Sequence, residues 1–161
     1  MRTLGIDPGI SLTGWGVIEA VSRDKINCIQ CGCIKTMPPH TLIERLQTIN
    51  AELQSIINKY KPEAIAIEEL FFLKAAKSIA SIGQARGAIL LTISMNKLPL
   101  FEYNPRTVKM ALVGYGSADK YQMQHMVKTF LKLEEIPKPD DIADALAIAI
   151  CHINTIKWNS K

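Results

Sequence analysis

The sequence predicts an α/β fold, a mixed five-stranded sheet with helices on its faces whose first three strands run antiparallel. The first part of the chain holds three strand-like segments joined by short turns, which is typical of an antiparallel meander. The rest alternates apolar strand-like runs with segments of helical periodicity, which favours helices packed against the sheet. At 161 residues the chain is long enough to form its own core, and we expect one domain over residues 1–161.

The predicted elements follow one another as β-β-β-α-β-α-β-α-α-α. Thr41 and Glu44 form a capping box that opens the first helix, and Pro62 ends it. The last helix is apolar on nearly every side, which predicts that it is buried. In chain order, the other predicted ranges are 3–9, 12–20, 25–36, 64–70, 74–96, 99–103, 105–113, 119–132 and 140–156. This order of elements matches the ribonuclease-H-like arrangement.

The charge and hydropathy of the chain give only weak information about its partners and its location. The net charge of +4 fits a polyanionic partner without identifying one. The longest apolar runs are too short to span a bilayer, so no membrane is expected. No basic and apolar leader precedes the first predicted strand, and the expected location is therefore the cytosol.

Three of the four cysteines, Cys28, Cys31 and Cys33, lie close together in the third predicted strand. The two-residue period of a strand places Cys31 and Cys33 on one face and Cys28 on the other. No second pair of cysteines or histidines follows at the spacing of a zinc site. The pattern predicts free thiols rather than bound zinc.

Acidic residues end two of the predicted strands: Asp7 the first, and Glu68 and Glu69 the fourth. A strand-end Asp also has an ordinary role in capping the turn that follows. Glu68 shares its face with the alanines of its strand, whereas Glu69 shares its face with isoleucines. Asp7 shares its face with Thr3 and Gly5. These small faces allow a helix to pack closely, which selects Asp7 and Glu68, and Glu69 is expected to be a solvated charge.

Three further acids open the last predicted helix. Asp140 follows Pro139 and suits a capping role at the positive end of the helix. Asp141 and Asp144 are three residues apart and therefore share one face of the helix. We predict that these two join the strand acids and that Asp140 stays outside the site.

The predicted site is thus composed of four carboxylates: Asp7, Glu68, Asp141 and Asp144. They would repel one another strongly, because no Arg or Lys adjoins any of them in sequence. Carboxylate ligands with open positions suit Mg²⁺, and Mn²⁺ as a substitute. Two such ions can activate a water and stabilise the leaving oxygen of a phosphodiester. The four acids are therefore predicted to be both catalytic residues and metal ligands.

Five motifs follow one another between residue 3 and about residue 153. They are Gly5-Ile6-Asp7-Pro8-Gly9, Thr13-Gly14-Trp15-Gly16, Ala66-Ile67-Glu68-Glu69-Leu70-Phe71, Gly83-Gln84-Ala85-Arg86-Gly87 and Asp141-Ile142-Ala143-Asp144-Ala145-Leu146-Ala147. In this order they resemble the RuvC family of Holliday-junction resolvases. The resemblance implies a homodimeric endonuclease that cuts four-way DNA junctions symmetrically in recombination and repair, with a RuvA–RuvB branch-migration partner. The family's four catalytic acids fall on the four acids of the predicted site.

The resemblance also implies lysines near the phosphate, at Lys109 and Lys120. Lys120 has independent support, because it lies near a helix N-terminus, where a cation is disfavoured and a phosphate is attracted. The ordinary alternative for either lysine is a solvated surface charge. We therefore predict a catalytic role for Lys120 and DNA binding for both.

Phe71 matches a family aromatic that contacts bases near the junction centre, and an exposed ring there suits stacking. Its neighbour Phe72 is expected to pack into the core. Lys74, Lys77 and Arg86 complete the predicted DNA-binding set. A stripe of small residues in the same long helix, Ala76, Ala80, Gly83 and Gly87, fits either a dimer contact or a helix contact within the chain, and we favour the dimer.

Two other functions remain open from the residues. A junction- or RNA-binding module without catalysis predicts at least one missing acid, and none is missing. The Asp-Pro-Gly turn with a following Thr and Gly also resembles the phosphate loop of actin-like sugar kinases and ATPases. Those chains are much longer and have a second phosphate motif, which this sequence lacks.

Overall fold

The computed structural model describes residues 1–22, 25–69 and 76–159. The elements are β1 Arg2–Asp7, β2 Leu12–Ser22, β3 Lys25–Lys35, α1 Leu42–Tyr60, β4 Ala64–Glu68, α2 Ala76–Met95, β5 Leu100–Tyr103, α3 Pro105–Val113, α4 Lys120–Leu131 and α5 Asp140–Asn159. The strands form one sheet in the order β3-β2-β1-β4-β5. Strands β1 to β3 pair antiparallel, whereas β4 pairs parallel with both β1 and β5. The predicted mixed sheet of the ribonuclease-H-like type is confirmed.

The main differences from the predicted bounds lie at the ends of elements. Strand β1 ends at Asp7 instead of residue 9, because Pro8 has no N–H to continue the ladder. Helix α5 continues to Asn159, three residues past the predicted end. None of the helices in the described part of the chain is long and apolar enough to cross a membrane.

Helix α1 begins and ends where the sequence indicates. The Thr41 hydroxyl accepts a hydrogen bond from the Glu44 N–H at 3.3 Å, and the Glu44 carboxylate accepts one from the Thr41 N–H at 2.6 Å. After Tyr60, Lys61 adopts a left-handed conformation with φ of 47°, and Pro62 follows. A left-handed residue before a proline cannot continue the helix.

Helices α3 and α4 carry the two lysines of the predicted site. Asn104 caps α3 by accepting a hydrogen bond from the Thr107 N–H at 2.9 Å, and Pro105 takes the first helical position. Asp119 caps α4 through a second capping box. Lys120 is therefore the first residue of α4, one residue after the predicted start of this helix at residue 119.

Strand β3 contains a bulge that changes the faces of its cysteines. Val17 pairs with Gln30, but its neighbour Ile18 pairs with Cys28, so Ile29 is an extra residue in the ladder. The prediction that Cys28 faces away from Cys31 is therefore wrong. Cys28, Cys31 and Cys33 all pack against the same apolar cluster, and the Cys28 and Cys31 thiols hydrogen-bond to each other. The cysteines of the described chain are free thiols.

The sheet buries a different kind of surface on each face. One face is filled by large side chains that pack against α1 and α2, among them Leu4, Ile6, Ile65 and Ile67. The other face is covered by α5, whose backbone lies directly on the glycines of β1 and β2. A Cβ built on Gly5 would lie 2.1 Å from the Ala145 carbonyl oxygen. Only residues without a side chain permit this approach.

Candidate active site

Asp7 and Glu68 end two neighbouring parallel strands at the centre of the sheet. The β1–β4 register places Ile6 beside Ile67, and the two acids come one residue later on their strands. Both side chains are half-buried. They also line the same cavity, which has a volume of about 250 Å³. The structure thus brings together the two strand acids that the sequence selects by parity.

Asp141 and Asp144 approach the same edge of the sheet from the first turns of α5. Asp144 lines the cavity with Asp7 and Glu68. Asp141 packs on β2, where a Cβ built on Gly14 would lie 2.0 Å from the Asp141 carbonyl oxygen. Because Gly14 pairs with Asp7 in the β1–β2 ladder, Asp141 and Asp7 flank the same glycine. All four predicted acids therefore meet at one end of the sheet, with Asp141 beside the cavity rather than in its wall.

The cavity also contains both predicted lysines, Lys109 from α3 and Lys120 from α4. The Lys120 ammonium lies 2.8 Å from the Asp140 carboxylate and 4.0 Å from that of Asp144. The hydrogen bond with Asp140 raises the pKa of Lys120, and the charges of Asp144, Asp140 and Asp141 raise it further. Lys120 is thus held in its charged form beside the acids.

Asp140 contacts the site through α4, which the sequence did not indicate. Instead of capping α5, its carboxylate accepts a hydrogen bond from the Gln124 amide at 2.9 Å and pairs with Lys120. The hydrogen bond from Lys120 lowers the pKa of Asp140. The position of Asp140 directly after Pro139 suggested a cap, and nothing local in the sequence points across to α4.

Cys33 is a second neighbour that sequence reasoning missed. It pairs with Gly14 on the side of β2 opposite to Asp7. Burial raises the pKa of the Cys33 thiol to about 11, and the nearby charges of Asp141 and Asp7 add to this. The thiol therefore stays protonated at neutral pH.

The acids fit a divalent cation by their chemistry. Carboxylate oxygens are hard ligands of the type that Mg²⁺ and Mn²⁺ prefer. Four carboxylates at one end of the sheet repel one another, and a cation among them would remove that repulsion.

The structure does not describe the side chains of three other predicted DNA-binding residues, Phe71, Lys74 and Lys77. Phe71 and Lys74, together with Phe72, lie outside the described residues. Lys77 is in α2, but its side chain is likewise not described. Exposed Glu69 stands outside the cavity, in line with its predicted solvation.

Arg86 does not fit the predicted role in DNA binding. Only 7% of its side chain is exposed, and its guanidinium donates to the Glu68 carbonyl oxygen and pairs with the Glu102 carboxylate at 3.0 Å. The sequence motif correctly placed Arg86 in the long helix α2. It could not show that the side chain turns inward to the sheet.

A ribonuclease-H-like sheet that ends in clustered carboxylates, with two lysines in the same cavity, defines an α/β enzyme of the kind that acts on phosphate esters. Residues 3–152 match the family model described as "Crossover junction endodeoxyribonuclease RuvC". The chain therefore belongs to the RuvC family, and the enzyme class predicted from the sequence, a crossover junction endodeoxyribonuclease, is confirmed. This match favours the nuclease over the actin-like phosphotransferases.

Individual relatives agree with the family match. A RuvC of Endomicrobium trichonymphae is 74% identical over 160 residues, covering 99% of this chain and 84% of that protein. A RuvC of Pelotomaculum thermopropionicum is 47% identical over 161 residues, covering 100% of this chain and 98% of that protein. The structure of Thermus thermophilus RuvC in complex with a Holliday junction substrate superimposes with a TM-score of 0.94 at 36% identity, covering 99% of this chain and 97% of that one.

Proposed function

We propose that this chain is a Holliday-junction resolvase that makes symmetric paired nicks in four-way DNA junctions by metal-dependent hydrolysis of phosphodiesters. The observation that carries the proposal is that one cavity at the carboxyl ends of β1 and β4 is lined by Asp7, Glu68, Asp144, Lys109 and Lys120. The solved Thermus thermophilus relative is described with a Holliday junction substrate. Recombination and repair of DNA are the processes in which such junctions would be cut.

The four acids hold the cations in this proposal. Asp7, Glu68 and Asp144 present their carboxylates in the cavity wall, and Asp141 adds its charge from the side. RuvC-family nucleases depend on metal ions, and we propose two Mg²⁺ ions per site, with Mn²⁺ as a substitute. When bound, such ions supply an acidified water for attack and positive charge for the leaving oxygen.

The lysines act on the phosphate. Lys120 is charged and lies at the N-terminus of α4, where N–H groups and the helix dipole also attract an anion. Its present partner, Asp140, is exposed, so a phosphate oxygen can replace the carboxylate without burying a charge. Lys120 would then donate to the scissile phosphate, while Lys109 holds the same strand of DNA from α3.

DNA beyond the cleaved bond would be held by residues between β4 and α2. Phe71 is proposed to stack on bases near the junction centre, and Lys74 and Lys77 to bind backbone phosphates. The support for these roles is the family resemblance and their place in the chain directly after Glu68.

A homodimer would supply the second active site that symmetric nicks require. A Cβ built on Gly83 or Gly87 meets no described atom within 4 Å, so these glycines of α2 do not serve a helix contact among the described residues. Leu91 and Met95 extend the same exposed side of α2, at 61% and 69% exposure. Exposed apolar and small residues of this kind suit an interface between two copies.

Two further proposals come from the family alone. A RuvA–RuvB branch-migration complex is the proposed protein partner. The proposed location is the cytosol, because the substrate is chromosomal DNA under recombination or repair.

The decisive experiment compares a synthetic four-way junction with linear duplex of the same sequence in Mg²⁺. We expect paired nicks at symmetric positions in the junction only. Asp7→Asn should abolish nicking and leave junction binding intact, because it removes a metal ligand and keeps the side-chain volume. Equal cutting of linear duplex would contradict the resolvase proposal while leaving nuclease activity in place.

A further inference from the structure

Arg86 places a buried positive charge directly behind the acidic cavity. The side chain leaves the middle of α2 and is only 7% exposed. Burying a guanidinium is costly unless its donors are satisfied and its charge is compensated. Both conditions are met at the edge of the sheet: Nη1 donates to the Glu68 carbonyl oxygen, and Nη2 lies 3.0 Å from the Glu102 carboxylate.

These two bonds join three elements at the point where β4 ends. Glu68 is the last residue of β4, and Glu102 lies in β5, paired with Ile67. The last bond between the strands runs from the Glu69 N–H to the Tyr103 carbonyl oxygen at 2.9 Å. Arg86 therefore anchors the peptide unit between Glu68 and Glu69 from the α2 side of the sheet, through its hydrogen bond to the Glu68 carbonyl oxygen.

This anchoring limits the direction in which the Glu68 side chain can leave the backbone. The peptide unit is planar, so an anchored carbonyl oxygen leaves little freedom for the ψ angle of Glu68. The side chain leaves the same Cα and enters the cavity that Asp7 and Asp144 also line. Supporting groups of this kind keep ligands within the small tolerance that a metal or catalytic site requires.

We infer that Arg86 is a positioning residue of this active site: its buried guanidinium fixes the end of β4 so that Glu68 meets the cation together with Asp7 and Asp144. The inference deepens the proposed function and rests on its assignment of Glu68 as a metal ligand. Because its side chain is buried, Arg86 is assigned no contact with DNA. Glu102 balances its charge from a side chain that is 44% exposed, and water can partly replace that carboxylate.

The chain offers a matched control in Arg2. Its guanidinium also donates to a backbone carbonyl, that of Tyr60 at 2.7 Å, and also pairs with a carboxylate, that of Glu19 at 2.9 Å. Arg2 begins β1, whereas Asp7 ends it. Arg2→Met therefore removes the same kinds of bond at the opposite end of the sheet from the acids.

The experiment uses the full chain and measures three quantities for Arg86→Met, Arg86→Lys, Glu102→Gln and Arg2→Met. They are Mn²⁺ affinity by titration calorimetry, the Mg²⁺ concentration for half-maximal junction nicking, and junction affinity in Ca²⁺. We expect Arg86→Met to weaken Mn²⁺ binding and raise the Mg²⁺ requirement by about 10-fold or more, the usual effect of losing a group that orients a ligand. Junction affinity should stay within about 2-fold, since no phosphate contact is lost.

The other variants sharpen the result. Arg86→Lys keeps the positive charge and an ammonium donor but loses the planar fork that reaches both acceptors, so it should retain part of the metal affinity that Arg86→Met loses. Glu102→Gln should have a smaller effect than Arg86→Met. Arg2→Met should lower thermal stability without changing the metal requirement. If Arg86→Met fails to fold, Arg86→Lys and Glu102→Gln carry the test, because each keeps a polar partner in place.

Two results would overturn the inference. One is a loss of junction affinity with an unchanged metal requirement, which would make Arg86 a DNA contact. The other is a loss of thermal stability alone, as in Arg2→Met. Failure of the proposed function is a separate outcome, visible in the wild-type chain as nicking that needs no divalent cation or as no nicking of junctions.

Discussion

The two faces of the sheet are built from alternate residues of the same strands, yet they have opposite packing. In β1, Leu4 and Ile6 fill the face below α1 and α2, whereas Gly5 between them touches the backbone of α5. The first face gains its stability from large apolar side chains, each contributing about 1.5–3 kcal/mol when fully buried. The second face has small residues, so the backbone of α5 can contact the strands directly.

The difference shows why the acids lie where they do. Close approach of α5 brings Asp141 onto Gly14 and Asp144 into the cavity with Asp7 and Glu68. A face filled with isoleucine would hold the helix several ångströms farther away. The face of large residues therefore supports the fold, and the face of small residues sets the geometry of the site.

The largest effect is expected where the close face is forced apart. Gly14→Ala adds a Cβ that would lie 2.0 Å from the Asp141 carbonyl oxygen, so α5 must shift. We expect a loss of about 3 kcal/mol in unfolding free energy and a roughly 100-fold loss in nicking rate from misplaced acids. Urea denaturation and a junction-nicking assay measure the two.

The matched change on the opposite face is Ile6→Val. It removes one buried methylene against α1 and α2 and should lower the unfolding free energy by about 1 kcal/mol. Nicking should stay near the wild-type rate. Equal losses of activity in Gly14→Ala and Ile6→Val would mean that the two faces do not divide their tasks as described.

Much of this division can be read from the sequence. Strand parity separated Glu68 from Glu69 and put Asp7 and Glu68 on the small face, since a two-residue period is a local property. The capping box of Thr41 and Glu44 fixed where the first helix begins for the same reason. Such features depend on neighbours in sequence and need no knowledge of tertiary packing.

The errors lie where the outcome depends on distant partners. The bulge at Ile29 reversed the face of Cys28, and parity cannot detect an extra residue that the opposite strand accommodates. Arg86 turned inward to Glu102, a residue of another strand. Asp140 of α5 forms an ion pair with Lys120 of α4. These three cases share one cause, a contact that is set by the packing of elements far apart in the chain.

A smaller effect is expected from Asp140, which tests how the acidic end of α5 acts on Lys120. The hydrogen bond with Asp140 raises the pKa of Lys120. Removing it in Asp140→Asn lowers that pKa, so the lysine loses its proton at a lower pH. At sub-saturating junction, where the pH profile of nicking reports the free enzyme, the alkaline limb should therefore move to lower pH, with less than about a 10-fold change at neutral pH.

The controls for this shift are Lys120→Met and Asp119→Asn. Lys120→Met removes the titrating group, and its profile should not change further when Asp140→Asn is added. Asp119→Asn keeps a capping side chain at α4 and should leave the alkaline limb in place. An unchanged limb in Asp140→Asn would contradict the role given to Lys120.

The smallest effect concerns His152, on the same helix but outside the cavity. It is fully buried and hydrogen-bonds the Tyr103 hydroxyl at 2.8 Å. Burial lowers the pKa of His152 to about 4. Below pH 6.5 His152 binds a proton in the unfolded chain but stays neutral in the folded chain. The contribution of His152 to stability is therefore complete above pH 6.5 and falls as the pH drops towards 4.

Replacing His152 should change the stability of the protein at acid pH without changing the geometry of the active site. His152→Gln should remove its part of the acid-side loss of stability, seen as a shallower fall in melting temperature between pH 6.5 and 4. The Mg²⁺ requirement for nicking at neutral pH should not change. A shifted Mg²⁺ requirement would show that the whole of α5, and not only its first turns, sets the acids.

We propose Glu68, on the small face of β4, as a metal ligand of the nuclease, whereas its neighbour Glu69 is expected to bind no metal. The most direct test compares Glu68→Gln with Glu69→Gln by Mn²⁺ calorimetry and by nicking of a four-way junction. We expect Glu68→Gln to lose metal affinity and nicking but still to bind the junction, and Glu69→Gln to keep all three properties. Equal behaviour of the two variants, or loss of metal binding in Glu69→Gln alone, would contradict this proposal.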